Sequence, residues 1–152
     1  MVSKFKNLWQ AVKRNNLADV QECLAAGEDV HIREKRGDNK ALLHLAQTPE
    51  IIAALLAAGA DPNTKDDNDF TPLHDASNAE ITRLLLAAGA DPHAKDCFGC
   101  TPLHYARDEA MVQTLIAGGA DPQSRDNDGN LPEETQAAVR EVIAAGGGII
   151  MR

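Results

Sequence analysis

A chain of 152 residues has room for one compact unit or a short repeat array. Hydrophobic residues make up 43% and aromatics only 3%, so Ala, Leu and Ile supply the core and suit close-packed helices better than a broad aromatic pocket. The net charge of −8 argues against phosphate-dominated nucleic-acid binding. No apolar run approaches the roughly 20 residues needed to span a bilayer. The N-terminal MVSKFKNLWQAVKRNN lacks a signal-type stretch. The expectation is a soluble, cytoplasmic protein without membrane or nucleic-acid partners. Three cysteines, Cys23, Cys97 and Cys100, cannot pair completely and fit a reducing compartment.

Residues 3–27 read as two helices. Phe5, Leu8, Trp9 and Val12 recur at helical spacing, and so do Leu17, Val20, Cys23 and Leu24. Asn15–Asn16 supply the turn and Gly27 the stop. Cys23 falls on the apolar stripe as a core thiol, and Trp9 is read as packing. The connector Glu28–Lys40 is the most basic of the set, its Arg33, Lys35, Arg36 and Lys40 balancing four carboxylates, whereas the later connectors DPNTKDDNDF and DPHAKDCFGC are net acidic. It could hold an acidic patch of a partner or pair with its own neighbours. Overall, residues 1–40 carry +2 and residues 41–152 carry −10, which would favour a basic partner and would equally keep the chain soluble.

From Lys40 onward the chain repeats itself. KALLHLAQTPEIIAALLAAGAD (40–61), FTPLHDASNAEITRLLLAAGAD (70–91) and CTPLHYARDEAMVQTLIAGGAD (100–121) stand thirty residues apart. His44, His74 and His104 keep that period, as do Gly59, Gly89 and Gly119. A fixed period in this range marks a solenoid, whose units bury their apolar faces only against neighbours.

The TPLH, LL and GADP blocks resemble the ankyrin repeat, and the resemblance covers almost the whole chain. It implies an all-α repeat solenoid of helix–turn–helix units joined by β-hairpin or turn fingers. The approximate units are 3–35, 36–65, 66–95, 96–125 and 126–148, with 149–152 as a tail. About three residues of the usual inter-helix turn are missing. First helices of about two turns are therefore expected near Leu42–Gln47, Pro72–Ser77 and Pro102–Arg107. Second helices are expected near Glu50–Ala58, Glu80–Ala88 and Glu109–Ala117. Thr48-Pro49-Glu50 and Asp108-Glu109 carry N-terminal helix chemistry. The pairs Leu55/Leu56, Leu84/Leu85 and Leu115/Ile116 should form the inter-repeat core. Ala57–Ala58 and Ala87–Ala88 should let helices approach, and Gly59, Gly89 and Gly119 should end each helix at positive φ. In the last unit Glu133 and Glu134 replace Leu-His, marking a C-terminal cap onto which Val139, Val142 and Ile143 can pack. Gly146–Gly148 and the apolar Ile149–Met151 follow.

The three histidines invite a catalytic or metal reading, but they fall one to a repeat and do not converge. The resemblance implies that each hydrogen-bonds around its TPLH turn while Thr71 and Thr101 cap the short helices. The unit with Ala41 and Leu42 should have the weaker turn. His93, Cys97, Cys100 and His104 together offer two imidazoles and two thiols, a set that suits zinc. The competing reading, adopted here, is that no metal is bound and the thiols are reduced. Asp126-Asn127-Asp128-Gly129 resembles part of a calcium loop, but Thr135 stands where the required glutamate should be. No phosphate-cradling loop, nucleophile elbow or carboxylate pair is legible, so no enzyme activity and no cofactor are expected.

The resemblance implies protein binding through finger tips and a concave helix face. The finger candidates are Arg36, Gly37 and Lys40; Asp67, Asn68 and Phe70; Cys97, Phe98 and Cys100; and Asn127, Asp128 and Asn130. On the inner helices they are Asp75, Ser77, Tyr105, Arg107 and Asp108. Phe70, Phe98 and Tyr105 are the expected anchors, since aromatics are enriched at hot spots. Phe70 and Phe98 could instead only stabilise their fingers. A small repeat protein without a catalytic domain is expected to occupy or bridge partners as a monomer. The candidate roles are an immunity-type inhibitor of a basic partner, a scaffold joining two proteins, or a zinc or redox protein centred on Cys97 and Cys100.

Overall fold

The computed structural model describes residues 7–132. Helices α1 (Leu8–Lys13) and α2 (Leu17–Ala25) come first. They are followed by α3 (Leu42–Leu45), α4 (Pro49–Ala57), α5 (Ala79–Ala87), a 3-10 turn (Pro102–Tyr105) and α6 (Glu109–Ala117). Asn7 and Asn16 begin α1 and α2 by accepting the Gln10 and Asp19 N–H groups at 2.9 and 3.2 Å. Between those helices Asn15 takes a φ of 56°, a left-handed conformation that asparagine tolerates.

The later long helices share one construction. The side chains of Thr48, Asn78 and Asp108 accept the backbone N–H of Ile51, Ile81 and Met111. Such caps stabilise by about 1 kcal/mol each. At the other end Ala60, Ala90 and Ala120 donate back to the carbonyls of Leu55, Leu85 and Leu115 at 2.9–3.0 Å. This closure requires the preceding Gly59, Gly89 and Gly119 to sit at φ of 96–103°. These helices lie within a residue of their expected positions.

The first helices are shorter than expected. In place of two turns, Leu42–Leu45 forms one α turn, Pro102–Tyr105 one 3-10 turn, and residues 72–75 only a hydrogen-bonded turn. The cap of the next helix comes four residues after each histidine. Ala46 and Ala106 are accordingly already extended, with ψ of 127° and 131°, and no residues remain for a second turn.

The long helices α2, α4, α5 and α6 stack in chain order, and α3 packs against α1 and α4. Leu55, Leu85 and Leu115, one period apart, are at most 1% exposed, whereas Leu56, Leu84 and Ile116 are half-buried. One member of each expected pair therefore lies at the centre of the stack, contributing about 2 kcal/mol by burial. Cys23 is fully buried and Trp9 packs on the edge of the core. The alanines differ from expectation, because Ala57, Ala58, Ala87 and Ala88 are all exposed. Close approach occurs instead at Gly118, where a Cβ would stand 2.7 Å from Leu86 Cδ1.

The fingers are turns. Among the described residues there is no strand, only an isolated antiparallel bridge between Arg33 and Ala41. Each later finger closes in five residues, through Asp66 N–H to the Phe70 carbonyl, Asp96 to Cys100, and Asp126 to Asn130, at 2.9–3.0 Å. So short a closure leaves no room for a hairpin ladder. No helix among the described residues is long and apolar enough to cross a membrane. The expectations for Phe5, for Glu133, Glu134, Val139, Val142 and Ile143, and for residues 146–152 lie outside the described residues.

Candidate protein-binding edge and cleft

The three repeat histidines join one repeat to the next. The backbone N–H groups of Ala41, Thr71 and Thr101 donate to Nδ1 of His44, His74 and His104 at 3.0–3.1 Å. With Nδ1 accepting, Nε2 carries the proton and donates to the carbonyls of Phe70, Cys100 and Asn130, at 2.8, 2.9 and 3.2 Å. Each imidazole thus bridges its own turn and the finger 26 residues on. The Thr71 and Thr101 hydroxyls lie 2.9 and 3.0 Å from the same Nδ1 atoms, so they brace the histidine. His44 keeps both of its bonds although Ala41 offers no hydroxyl. Burial holds His74 below the usual histidine range, against the raising effect of its bond to the Cys100 carbonyl.

Three aspartates one period apart, of which only Asp126 was singled out from the sequence, shape the fingers. Asp66, Asp96 and Asp126 each accept two backbone N–H groups of their own finger at 2.8–3.0 Å: Asn68 and Phe70, Phe98 and Cys100, Asp128 and Asn130. The Asn130 N–H bond is the main influence holding the Asp126 carboxyl below the usual range. The signal was present as Lys65-Asp66, Lys95-Asp96 and Arg125-Asp126, a basic–acidic pair at the repeat period. Neighbouring fingers are also tied together. The N–H groups of Asp67, Cys97 and Asn127 donate to the carbonyls of Asp38, Asn68 and Phe98 at 2.8–3.0 Å. In the basic finger, Arg33 donates to the Asn39 carbonyl at 3.0 Å and the Lys65 carbonyl at 2.8 Å. This arginine therefore engages its neighbours, while Arg36 remains exposed and Lys40 is half-buried.

The candidate contact residues fall into two groups that share Asn130. Asp67, Asn68, Phe98, Asn127, Asp128 and Asn130 stand exposed on the fingers, with Phe98 63% exposed. Phe70, Asp75, Tyr105, Arg107 and Asn130 come together around a cleft of about 500 Å³. Tyr105, expected as an exposed anchor, is half-buried. Its ring centroid lies 5.3 Å from that of Phe70 and 5.9 Å from that of His74, and its hydroxyl donates to Asp96. Burial and that bond raise the phenol well above its ordinary range. Phe70 sits 5.3 Å from the His74 ring and is likewise half-buried. Both aromatics therefore cement the joint between repeats, and Phe98 is the one large exposed hydrophobic side chain among the described residues. Ser77 and Asp108 are exposed away from the cleft, and Asp108 is committed to capping α6.

The zinc set gains no convergence from the fold. Both nitrogens of His104 are engaged. No three of His93, Cys97, Cys100 and His104 bring their ligand atoms within 4.8 Å of one another. Burial pushes the Cys100 thiol up, which disfavours the thiolate that metal binding and disulfide exchange require. Cys23 is pushed to about 11, first by burial and then by Glu28.

Comparison with known proteins agrees with this architecture. A relative from Bos taurus, described as "Mitochondrial disaggregase", is 36% identical over 66 residues, which cover 43% of this chain. The chain spans about 10% of the length of that relative, and the activity in its name is said of that protein. The family described as "Ankyrin repeats (3 copies)" matches residues 8–96 and, overlapping them, 49–126. With the repeat histidines and the glycine-ended helices inside that span, the chain belongs to the ankyrin-repeat family.

Proposed function

We propose that this chain is a non-catalytic protein-binding module that takes its partner along the finger tips and the adjoining cleft. Ankyrin repeats generally mediate protein–protein interaction, and this reading gives that role a surface. The observation that carries it is Phe98, 63% exposed on a finger held at both sides. Cys97 N–H bonds the Asn68 carbonyl on one flank, and Asn127 N–H bonds the Phe98 carbonyl on the other. An exposed aromatic on an ordered mount loses little conformational freedom when a partner covers it.

The charge of −10 over residues 41–152 favours a basic partner. The specific role proposed is a monomeric, cytoplasmic, immunity-type inhibitor that occupies such a partner. A reducing compartment suits its free thiols Cys23, Cys97 and Cys100. One feature favours a scaffold as the second reading. The exposed Arg36 belongs to a basic N-terminal region of charge +2, so two regions of opposite sign could engage two proteins.

Capture from the native host's lysate on the immobilised protein, at about 50 and 200 mM salt, tests these roles. The inhibitor reading predicts one basic partner whose recovery falls several-fold at the higher salt. Several salt-insensitive partners would favour the scaffold, and no specific partner at either salt would count against both.

A further inference from the structure

Asp75 lies one period before Tyr105, and Asp66 lies one period before Asp96. In the later repeat the Tyr105 hydroxyl donates to Asp96 Oδ2. In the earlier repeat the same two positions hold carboxyl groups. Oxygens of Asp66 and Asp75 and a nitrogen of His44 all lie within 4.8 Å of one another. Asp75 Oδ2 is buried there and makes no hydrogen bond.

The other two members of this cluster offer the oxygen no donor, and Lys40, which faces Asp75, makes no hydrogen bond to it. His44 takes the Ala41 N–H on Nδ1 and gives its proton to the Phe70 carbonyl from Nε2. Asp66 accepts from Asn68 and Phe70 and has no proton of its own to offer as a carboxylate. A tyrosine at this position would bring a hydroxyl, and Asp75 can bring one only as the acid.

We propose that Asp75 is held as the neutral acid in the folded array, with its proton directed at Asp66, making the joint between two central repeats proton-sensitive. The groups facing Asp75 are Lys40 from the basic finger, His44, Asp66 and His74. Tyr105, His104, Arg107 and Asp126 line the same cleft. Burial raises the Asp75 carboxyl above its ordinary 3.8, with Asp66 adding to the rise and Lys40 and the two histidines opposing it. Because the folded value is the higher one, the folded protein binds this proton more tightly than the unfolded chain does. Stability contributed by the protonated pair is therefore lost as pH rises through the folded value.

The test compares thermal unfolding of the wild-type chain and Asp75→Asn across pH, because His74 and the other carboxyl groups titrate in both proteins. Asparagine is isosteric, uncharged and able to donate to Asp66 at every pH. At about pH 7.5 the variant should melt ~3 °C higher than wild type. The gain should shrink toward zero as pH approaches the unfolded value of 3.8, where wild type carries its own proton. A gain absent at about pH 7.5, or constant across the range, would overturn the proposal. So would an NMR titration in which the Asp75 carboxyl carbon shows a midpoint at or below the ordinary 3.8. A magnesium-dependent rise in wild-type melting temperature that Asp75→Asn abolishes would also overturn it, by assigning the neutralising role to a cation.

Discussion

His74→Ala should lower the unfolding free energy by ~3 kcal/mol in urea denaturation, a large share of the 5–15 kcal/mol of a typical domain. The histidine is 5% exposed and satisfies two backbone groups at once. Its removal strips the acceptor from the Thr71 N–H and the donor from the Cys100 carbonyl. Each buried group left unpaired costs about 1–3 kcal/mol, and the Phe70–Tyr105 packing loses its third ring. His104→Ala should cost less, about 1 kcal/mol, because its bond to Asn130 is longer and exposed. Equal costs for the two substitutions would contradict the bridging role.

The same geometry sets a pH dependence. The folded His74 value lies below 6.5, so its contribution is complete above the unfolded value and is lost as pH falls below it. Protonation of Nδ1 would abolish the bond from Thr71. Wild type should lose more stability than His74→Ala between about pH 7 and 5.

Gly99→Ala should cost ~3 kcal/mol, clearly more than Gly89→Ala. Both glycines have positive φ, 75° and 96°, for which an alanine costs roughly 1–2 kcal/mol. At Gly89 that conformational penalty stands alone, because a Cβ would meet nothing within 4 Å. At Gly99 the Cβ would lie 2.2 Å from Asn127 Oδ1 and 2.8 Å from the Asn127 backbone nitrogen. A side chain can rotate away, but that nitrogen is the donor tying the last finger to the Phe98 carbonyl. Moving it would loosen the finger and add about 1 kcal/mol. Chemical denaturation of the two variants side by side checks the ranking, and equal losses would show that the inter-finger tie contributes nothing.

The long helices and their ends were legible from the residues because their chemistry is local. A capping side chain at Thr48 or Asp108 and a glycine at 59, 89 or 119 act within one turn of their own backbone. What stayed hidden was contact across repeats. The period places His74 in every-repeat register, but only the stacked fold brings the Cys100 carbonyl to its Nε2. Tyr105 looked like an exposed anchor for the same reason, since neither the Asp96 oxygen nor the Phe70 ring is near it in sequence. The length of the first helices was overestimated. The extended Ala46 and Ala106 use the residues that a second turn would have needed. Phe98, by contrast, sits on a five-residue turn whose chemistry is local, and its side chain stays exposed.

Capture of the host partner by wild type, Phe98→Ala and Arg83→Ala tests the central claim most directly. Phe98 is 63% exposed, so its truncation should change stability by less than about 0.5 kcal/mol and leave the fold intact. Arg83 is exposed on α5, away from the fingers and the cleft. The account predicts that Phe98→Ala loses the partner at least tenfold, about 1.4 kcal/mol, while Arg83→Ala retains it. Full capture by Phe98→Ala together with loss in Arg83→Ala would place binding on the outer helices and contradict the finger-edge site.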